Sequence, residues 1–252
     1  MQTPSYKELL DAGCHFGHLK RKWNPKMAPN IFMERKGIHI IDLTRTAEAL
    51  ERAGRAMKQV AKSGKKVLFV ATKKQGREIV AEAAKSVNMP FVTDRWLGGM
   101  MTNFQTIKKS IKKMQTIEKT LADPNTVITK KERLMMERER IKLERVLGGI
   151  AQLNRLPSVV FLVDIGHEHL ALDESKRLGI RTFGMVDTNC NPNTVDFAIP
   201  ANDDASKSIG LVINYMIGCI KEGLAERNAS PKEEAAATTE AAANTEAVAV
   251  PE

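Results

Sequence analysis

Two short runs, VLFVAT from Val67 to Thr72 and VVFLVD from Val159 to Asp164, are apolar almost without interruption and rich in β-branched and aromatic residues. A strand with one wet face alternates apolar and polar residues, so an unbroken run must be covered on both sides. Parallel strands packed between helices meet that condition, and the chain is thereby directed to an α/β fold. The remaining sequence keeps the same rhythm. Phe91 with Val92, Thr182 to Asp187 and Phe197 to Ile199 read as further strands, while helical periodicity fills Arg45 to Ser63, Gln75 to Asn88, His169 to Leu178 and Asp203 to Arg227. Gly64 and Gly179 fall where helix C-terminal caps are expected. Gly37 to Leu43 predicts a short additional strand leading into the first of these helices, with Thr44 as its N-cap. The expected architecture is a mostly parallel, doubly wound sheet with helices on both faces.

One region breaks the rhythm. From Arg95 to Leu156 no strand-like run occurs. Ile107, Ile111, Met114 and Leu121 form one apolar seam and Met136, Leu143, Val146 and Ile150 another, with Asp123 to Thr126 (DPNT) as the turn between them, which predicts an inserted antiparallel helical hairpin. Gly98–Gly99 and Gly148–Gly149 bracket it, either as plain helix-end punctuation or as flexible or tightly packed backbone. The chain thus divides into an α/β domain with an N-terminal arm (1–94 and 157–228), the hairpin (95–156) and a tail (229–252). The tail is built from Ala, Thr and Glu without aromatics, a composition that predicts disorder.

With 252 residues and 42% hydrophobic content, the chain can bury a full core. Cys14, Cys190 and Cys219 are too few and too scattered for a disulfide framework or a paired metal site, which fits a reducing cytosol. No leader-like apolar segment opens the sequence, and no run approaches the roughly 18 apolar residues of a membrane span. The expectation is a cytoplasmic protein that engages no membrane. Charge is uneven: from Ala229 onward one lysine faces five glutamates, a net −4, so the rest of a chain of net +9 carries +13. Such an excess attracts polyanions, nucleic acid foremost.

The cations are clustered. Between His18 and Met27, Lys20, Arg21, Lys22 and Lys26 surround Trp23 in a segment without periodicity, read as a binding loop; Trp23 either stacks on an exposed base or packs the arm onto the sheet. Lys73, Lys74 and Arg77 follow the first central strand at the C-terminal edge of the sheet, where open α/β folds bind ligands. Arg95 opens the insertion, and Lys108, Lys109, Lys112 and Lys113 cover more than one side of the outgoing helix, either as a phosphate-binding surface or as a solvated face.

A cation-rich edge raises the prospect of a nucleotide-dependent enzyme, yet neither GxGxxG nor GxxxxGK[ST] follows a strand, and no GxSxG, HExxH or CxxC occurs. Gly166 to His169 (GHEH) after Asp164 is the remaining chemical candidate, with a capping or RNA-contact role as its alternative to metal or proton chemistry. His18, Asp187, Asp203 and Asp204 are a candidate set for a divalent ion, zinc or magnesium. No cofactor or small-molecule substrate is called for.

The segments Cys14–His18 (CHFGH), Trp23–Met27 (WNPKM), Asp94–Asn103 (DRWLGGMMTN) and Val186–Asn193 (VDTNCNPN) resemble, in order and spacing, those of the bacterial small-subunit ribosomal protein two family, over residues 5–225. The resemblance implies a flavodoxin-like sheet with a protruding coiled-coil hairpin, a structural place in the small ribosomal subunit, contacts to small-subunit ribosomal RNA and to other small-subunit proteins, and a part in recruiting ribosomal protein one. It matches His15, His18 and Trp23 to Lys26 to the family's N-terminal loop and Trp96 to Gly99 to its hinge; the tail follows no family motif. An enzyme without the usual fingerprints and an RNA-binding module outside the ribosome are the competing readings.

Overall fold

Ser5 and Glu8 cap each other, with the Ser5 N–H donating to Glu8 Oε2 at 2.7 Å, and this reciprocal box starts α1 (Tyr6–Asp11). The computed structural model describes residues 2–123 and 128–246. After α1, β1 (Phe16–Leu19), β2 (Ile31–Arg35) and β3 (Ile38–Ile41) form a small antiparallel sheet in the order β1-β3-β2. Lys36 (φ 53°) and Gly37 (φ 76°) make the turn between β2 and β3, both left-handed as a two-residue hairpin requires. Of these strands the sequence predicts only β3. Phe16, Leu19, Phe32 and Met33 are exposed, so no alternation marks β1 or β2. The expected loop His18 to Met27 is in fact the end of β1 followed by 3-10 turns at Lys20–Lys22 and Pro25–Asn30.

Asp42, rather than Thr44, caps α2 (Leu43–Lys62): its carboxylate accepts from the Thr44 N–H at 2.9 Å, because the helix begins directly after β3. Then follow β4 (Val67–Val70), α3 (Arg77–Ser86), β5 (Phe91–Val92), α4 (Phe104–Ala122), α5 (Lys130–Leu147), β6 (Val159–Leu162), α6 (His169–Arg177), β7 (Arg181–Val186), β8 (Phe197–Pro200) and α7 (Ser206–Glu246). Gly64 and Gly179, at φ +70° and +65°, terminate α2 and α6 as expected.

β4 to β8 form one all-parallel sheet in the order β5-β4-β6-β7-β8, with Val67 paired to Val159 and Phe161 to Phe183. Counted by appearance in this sheet the order is 2-1-3-4-5, so the winding reverses between β4 and β6 and leaves a crevice beyond their C-terminal ends. Side chains alternate between two cores. Val67, Phe69, Val159 and Phe161 pack against Leu50 and Met57 of α2 and Val212 and Met216 of α7. Leu68, Val70, Val160 and Leu162 pack on the other face with Trp96, Met100, Ile107, Leu147 and Leu172. Ser206–Ala229 is long and apolar enough to cross a membrane, but 56% of that window is buried inside the molecule, so its apolarity serves the core.

α4 buries Ile107, Ile111, Met114 and Ile117; the predicted Leu121 is only half-buried. On α5 the predicted Met136, Leu143 and Val146 are half-buried, Leu147 is buried, and Ile150 is buried in the 3-10 turn that follows. α5 packs back along α4, and Lys113 pairs with Glu139 between them. Most of the predicted turn, residues 124–126, lies outside the described residues. The backbone of α7 continues helically to Glu246, through much of the stretch whose composition predicts disorder; alanine and glutamate are strong helix formers even where no apolar face exists to be buried.

Candidate nucleic-acid interface

The C-terminal edge of the sheet is built from residues that follow each strand: Lys73 and Lys74 after β4, Asp164 after β6, Asp187 and Thr188 after β7, and Asp203 between β8 and α7. The small sheet lies on this edge. The His18 N–H donates to Thr188 Oγ1 at 2.8 Å, the Asn24 N–H to the Thr188 carbonyl at 2.8 Å, and the Asn202 N–H to the Cys14 carbonyl at 3.2 Å. Gly17 permits the approach: a Cβ there would stand 2.6 Å from Thr188 Cγ2 and 3.0 Å from the His39 carbonyl oxygen. The glycine of the CHFGH segment is therefore a docking requirement for β1.

The candidate cation residues do come together. His18 Nδ1 lies 3.0 Å from Asp187 Oδ2 and its Nε2 3.5 Å from Asp204 Oδ2, while ligand atoms of His18, Asp203 and Asp204 all lie within 4.8 Å of one another. Lys73 already places a charge among them, with Nζ at 2.8 Å from Asp203, 2.6 Å from Asp204 and 3.1 Å from Asp164. Burial opposes that ammonium, but hydrogen bonds to Asp203 and Asp204 raise its pKa above the ordinary lysine value. Burial and the neighbouring Asp164 and Asp187 push Asp203 up to about 7 against the pull of Lys73. The hydrogen bond to Asp187 raises His18, against burial. Asp203 Oδ2 is buried without a hydrogen-bond partner.

The GHEH segment is occupied by local tasks. Asp164 Oδ1 accepts from the N–H groups of Gly166 (2.8 Å) and His167 (3.0 Å), which shapes the turn into α6. Glu168 accepts from the Thr72 N–H and hydroxyl at 2.6 and 2.7 Å, and His167 Nδ1 shares a hydrogen bond with the same hydroxyl at 2.8 Å, tying the ends of β4 and β6 together. His169 is the first residue of α6 and exposed.

Of the candidate RNA-contacting cations, Lys20, Arg21, Lys22 and Lys26 are exposed on the turns after β1, with Lys20 paired to Glu34 at 2.7 Å. Trp23 is 37% exposed and its ring centroid lies 5.2 Å from that of His39, so it both packs and shows a face. Lys73, Lys74, Arg77 and Arg95 line one crevice of about 490 Å³ at the winding reversal. Within it Arg77 pairs with Asp94 at 3.2 Å, a carboxylate shared with Arg145 of α5, and Lys73 is turned inward to the aspartates. Lys109, Lys112 and Lys113 are exposed on α4, and Lys108 is half-buried with Nζ 5.0 Å over the Phe104 ring. None of these α4 lysines lines that crevice.

Sequence reasoning overlooked Glu174. Its buried carboxylate accepts from Trp96 Nε1 (3.0 Å), the N–H groups of Gly99 (2.8 Å), Met101 (2.9 Å) and Thr102 (3.0 Å), and the Thr102 hydroxyl (3.1 Å). Burial raises its pKa, yet the hydrogen bonds win and hold it below the usual carboxylate value. Glu174 therefore anchors the WLGGMMT loop and with it the root of α4. A loop with several free N–H groups demands an acceptor, but seventy-odd intervening residues hid which one.

The sequence that builds this sheet and the segment docked on it matches known proteins over most of its length. A family profile described as Ribosomal protein S2 matches residues 9–223. The small ribosomal subunit protein uS2 of Bacteroides fragilis is 56% identical over 238 residues, covering 94% of this chain and 86% of that one. Those of Cytophaga hutchinsonii and Flavobacterium johnsoniae are 57% and 54% identical over 223 and 231 residues, covering 88% and 91% of both chains. This family is ribosomal and not enzymatic, which removes the enzyme reading of the GHEH turn. A match spanning both the sheet and the insertion leaves a single assignment: the chain belongs to the ribosomal protein S2 family.

Proposed function

We propose that this protein is a structural constituent of the small ribosomal subunit, acting in translation in the cytoplasm, that grips small-subunit ribosomal RNA with the C-terminal edge of its sheet. The carrying observation is convergence: the docking of β1 on Thr188 brings exposed Lys20, Arg21, Lys22 and Lys26 to the edge that also presents Lys74, Arg77 and Arg95. Trp23 offers a partly open indole for stacking. Lys73 is left out of this surface because its charge is committed to three carboxylates. Lys108, Lys109, Lys112 and Lys113 extend the reading along α4, with α4 and α5 as a hairpin standing off an α/β domain formed by residues 1–94 and 157–228. Contacts with other small-subunit proteins, including recruitment of ribosomal protein one, rest on the family resemblance.

The test is binding of the purified protein to small-subunit ribosomal RNA fragments across a salt series. Replacing Arg21, Lys22 and Arg95 by Ala should lower the slope of log affinity against log salt by about 2 to 3 if each meets a phosphate. An unchanged slope would remove this edge from the interface. For ribosomal protein one, small subunits assembled without this chain should lose it; retention contradicts the recruitment reading.

His18, Asp187, Asp203 and Asp204 are proposed as a site for a divalent cation. Imidazole with carboxylates suits zinc, carboxylates alone magnesium, and the unpartnered Asp203 Oδ2 is the atom such an ion would satisfy. Added zinc should raise the thermal midpoint of the wild type and not of Asp203→Asn; equal responses contradict the site.

A further inference from the structure

The opposite edge of the sheet, away from the candidate interface, holds a cavity of about 940 Å³. It opens at the N-terminal ends of the strands, for Lys66 precedes β4, Phe91 begins β5 and Ser158 precedes β6. Open α/β folds do not place their ligand crevice there. Five cations nevertheless meet around it from four separate segments: Lys65 and Lys66 after α2, Lys85 on α3, Arg145 on α5 and Arg155 before β6. Helix C-termini favour nearby cations, which accounts for part of the charge. It does not account for the imbalance: Arg145 is paired with Asp94, but Lys65, Lys66, Lys85 and Arg155 line the cavity beside a single carboxylate, Glu144, which is paired with Arg140 at 2.6 Å.

The floor is apolar. Met89, Pro90, Phe91, Leu153 and Leu156 line it, and Leu156 is 40% exposed. Lys85 holds Nζ 5.7 Å from the centre of the Phe91 ring, so a charge-binding group and an aromatic face are adjacent. The wall is rigid where the insertion returns: a Cβ on Gly149 would stand 2.1 Å from the Phe91 carbonyl oxygen, so only glycine lets the turn after α5 press against β5. A basic rim over an apolar, aromatic floor suits a nucleotide, with phosphates at the rim and the base below.

We propose that this cavity is a second RNA site, which takes an unpaired nucleotide segment independently of the C-terminal edge. Duplex RNA presents its phosphates on a convex, stacked helix and leaves no base free for the floor. The inference rests on the RNA-binding reading above. An acidic protein segment would satisfy the rim equally, but it would leave the Phe91 floor without a planar partner.

The full-length protein, carrying Lys65→Ala, Lys85→Ala and Arg155→Ala together, would be titrated with a labelled single-stranded uridine oligonucleotide across a salt series. Arg21→Ala, Lys22→Ala and Arg95→Ala provide the companion at the other edge. The cavity variant should keep the thermal midpoint of the wild type, lose roughly tenfold in affinity and lower the salt slope by about 2. A variant carrying Lys65→Arg, Lys85→Arg and Arg155→Lys should retain binding. Light-induced crosslinks from a thiouridine oligonucleotide should fall on the peptide containing Phe91. If the wild type binds and only the companion variant is weakened, the cavity proposal fails while the RNA reading stands. If the wild type binds no RNA, both fail. Displacement of the oligonucleotide by polyglutamate from the wild type alone, without a crosslink at Phe91, assigns the cavity to an acidic protein and overturns the proposal.

Discussion

At residue scale, one buried carboxylate holds a whole loop in place. Glu174 accepts five hydrogen bonds from the Trp96–Thr102 loop, so Glu174→Ala should cost on the order of 3 kcal/mol in denaturant unfolding, through stranded N–H groups. Glu174→Gln keeps the shape and should cost less, since its amide can still accept with one oxygen. The pH dependence has a defined sign. Its folded-state pKa lies below the ordinary value of 4.5, so its contribution is present above that value and is lost as pH falls through the folded pKa. The wild type should therefore lose more stability than Glu174→Gln between neutral pH and acid; parallel profiles would contradict the anchor. Gly17 makes a second case. Gly17→Ala should cost roughly 1–3 kcal/mol and loosen β1, read as faster hydrogen exchange at His18 and Asn24.

At the scale of elements, what was legible followed burial. β4 and β6 are covered on both faces and announce themselves as unbroken apolar runs; α2, α3 and α6 announce themselves by periodicity and left-handed glycines at α2 and α6. β1 and β2 were invisible because their side chains are mostly exposed and their order comes from pairing with β3 and from contacts to Thr188. The candidate site divides in the same way. Residue type and strand-end position found His18, Asp187, Asp203 and Asp204, which the fold brings together. The same reasoning misjudged Lys73, since a lysine run does not reveal which ammonium turns inward to carboxylates arriving some ninety residues later or more. Glu174 was missed because three of its five donors are backbone N–H groups, which carry no signature. For α4, replacing Lys108, Lys109 and Lys112 by Ala should lower the salt slope of ribosomal RNA binding by about 2 while changing stability by less than roughly 0.5 kcal/mol each. A steep loss of stability with an unchanged slope would make these lysines part of the packing.

At the scale of the molecule, a five-stranded parallel sheet supplies a rigid body with two basic edges and a basic helix, while its carboxylates are largely consumed in internal pairs. Residues 1–228 carry +13 and the following tail −4, so the positive field on which the proposed RNA binding relies originates in residues 1–228. Such an arrangement positions and holds, and it suits a protein whose work is done inside a ribonucleoprotein particle. The central claim is tested most directly by following the native protein through a sucrose gradient of cell lysate at low and high magnesium, together with small-subunit ribosomal RNA. At high magnesium it should sediment with small subunits and full ribosomes, at low magnesium with the small subunit alone, near one copy per particle. A protein that stays at the top of both gradients is not a structural constituent of the subunit, and the account would be wrong.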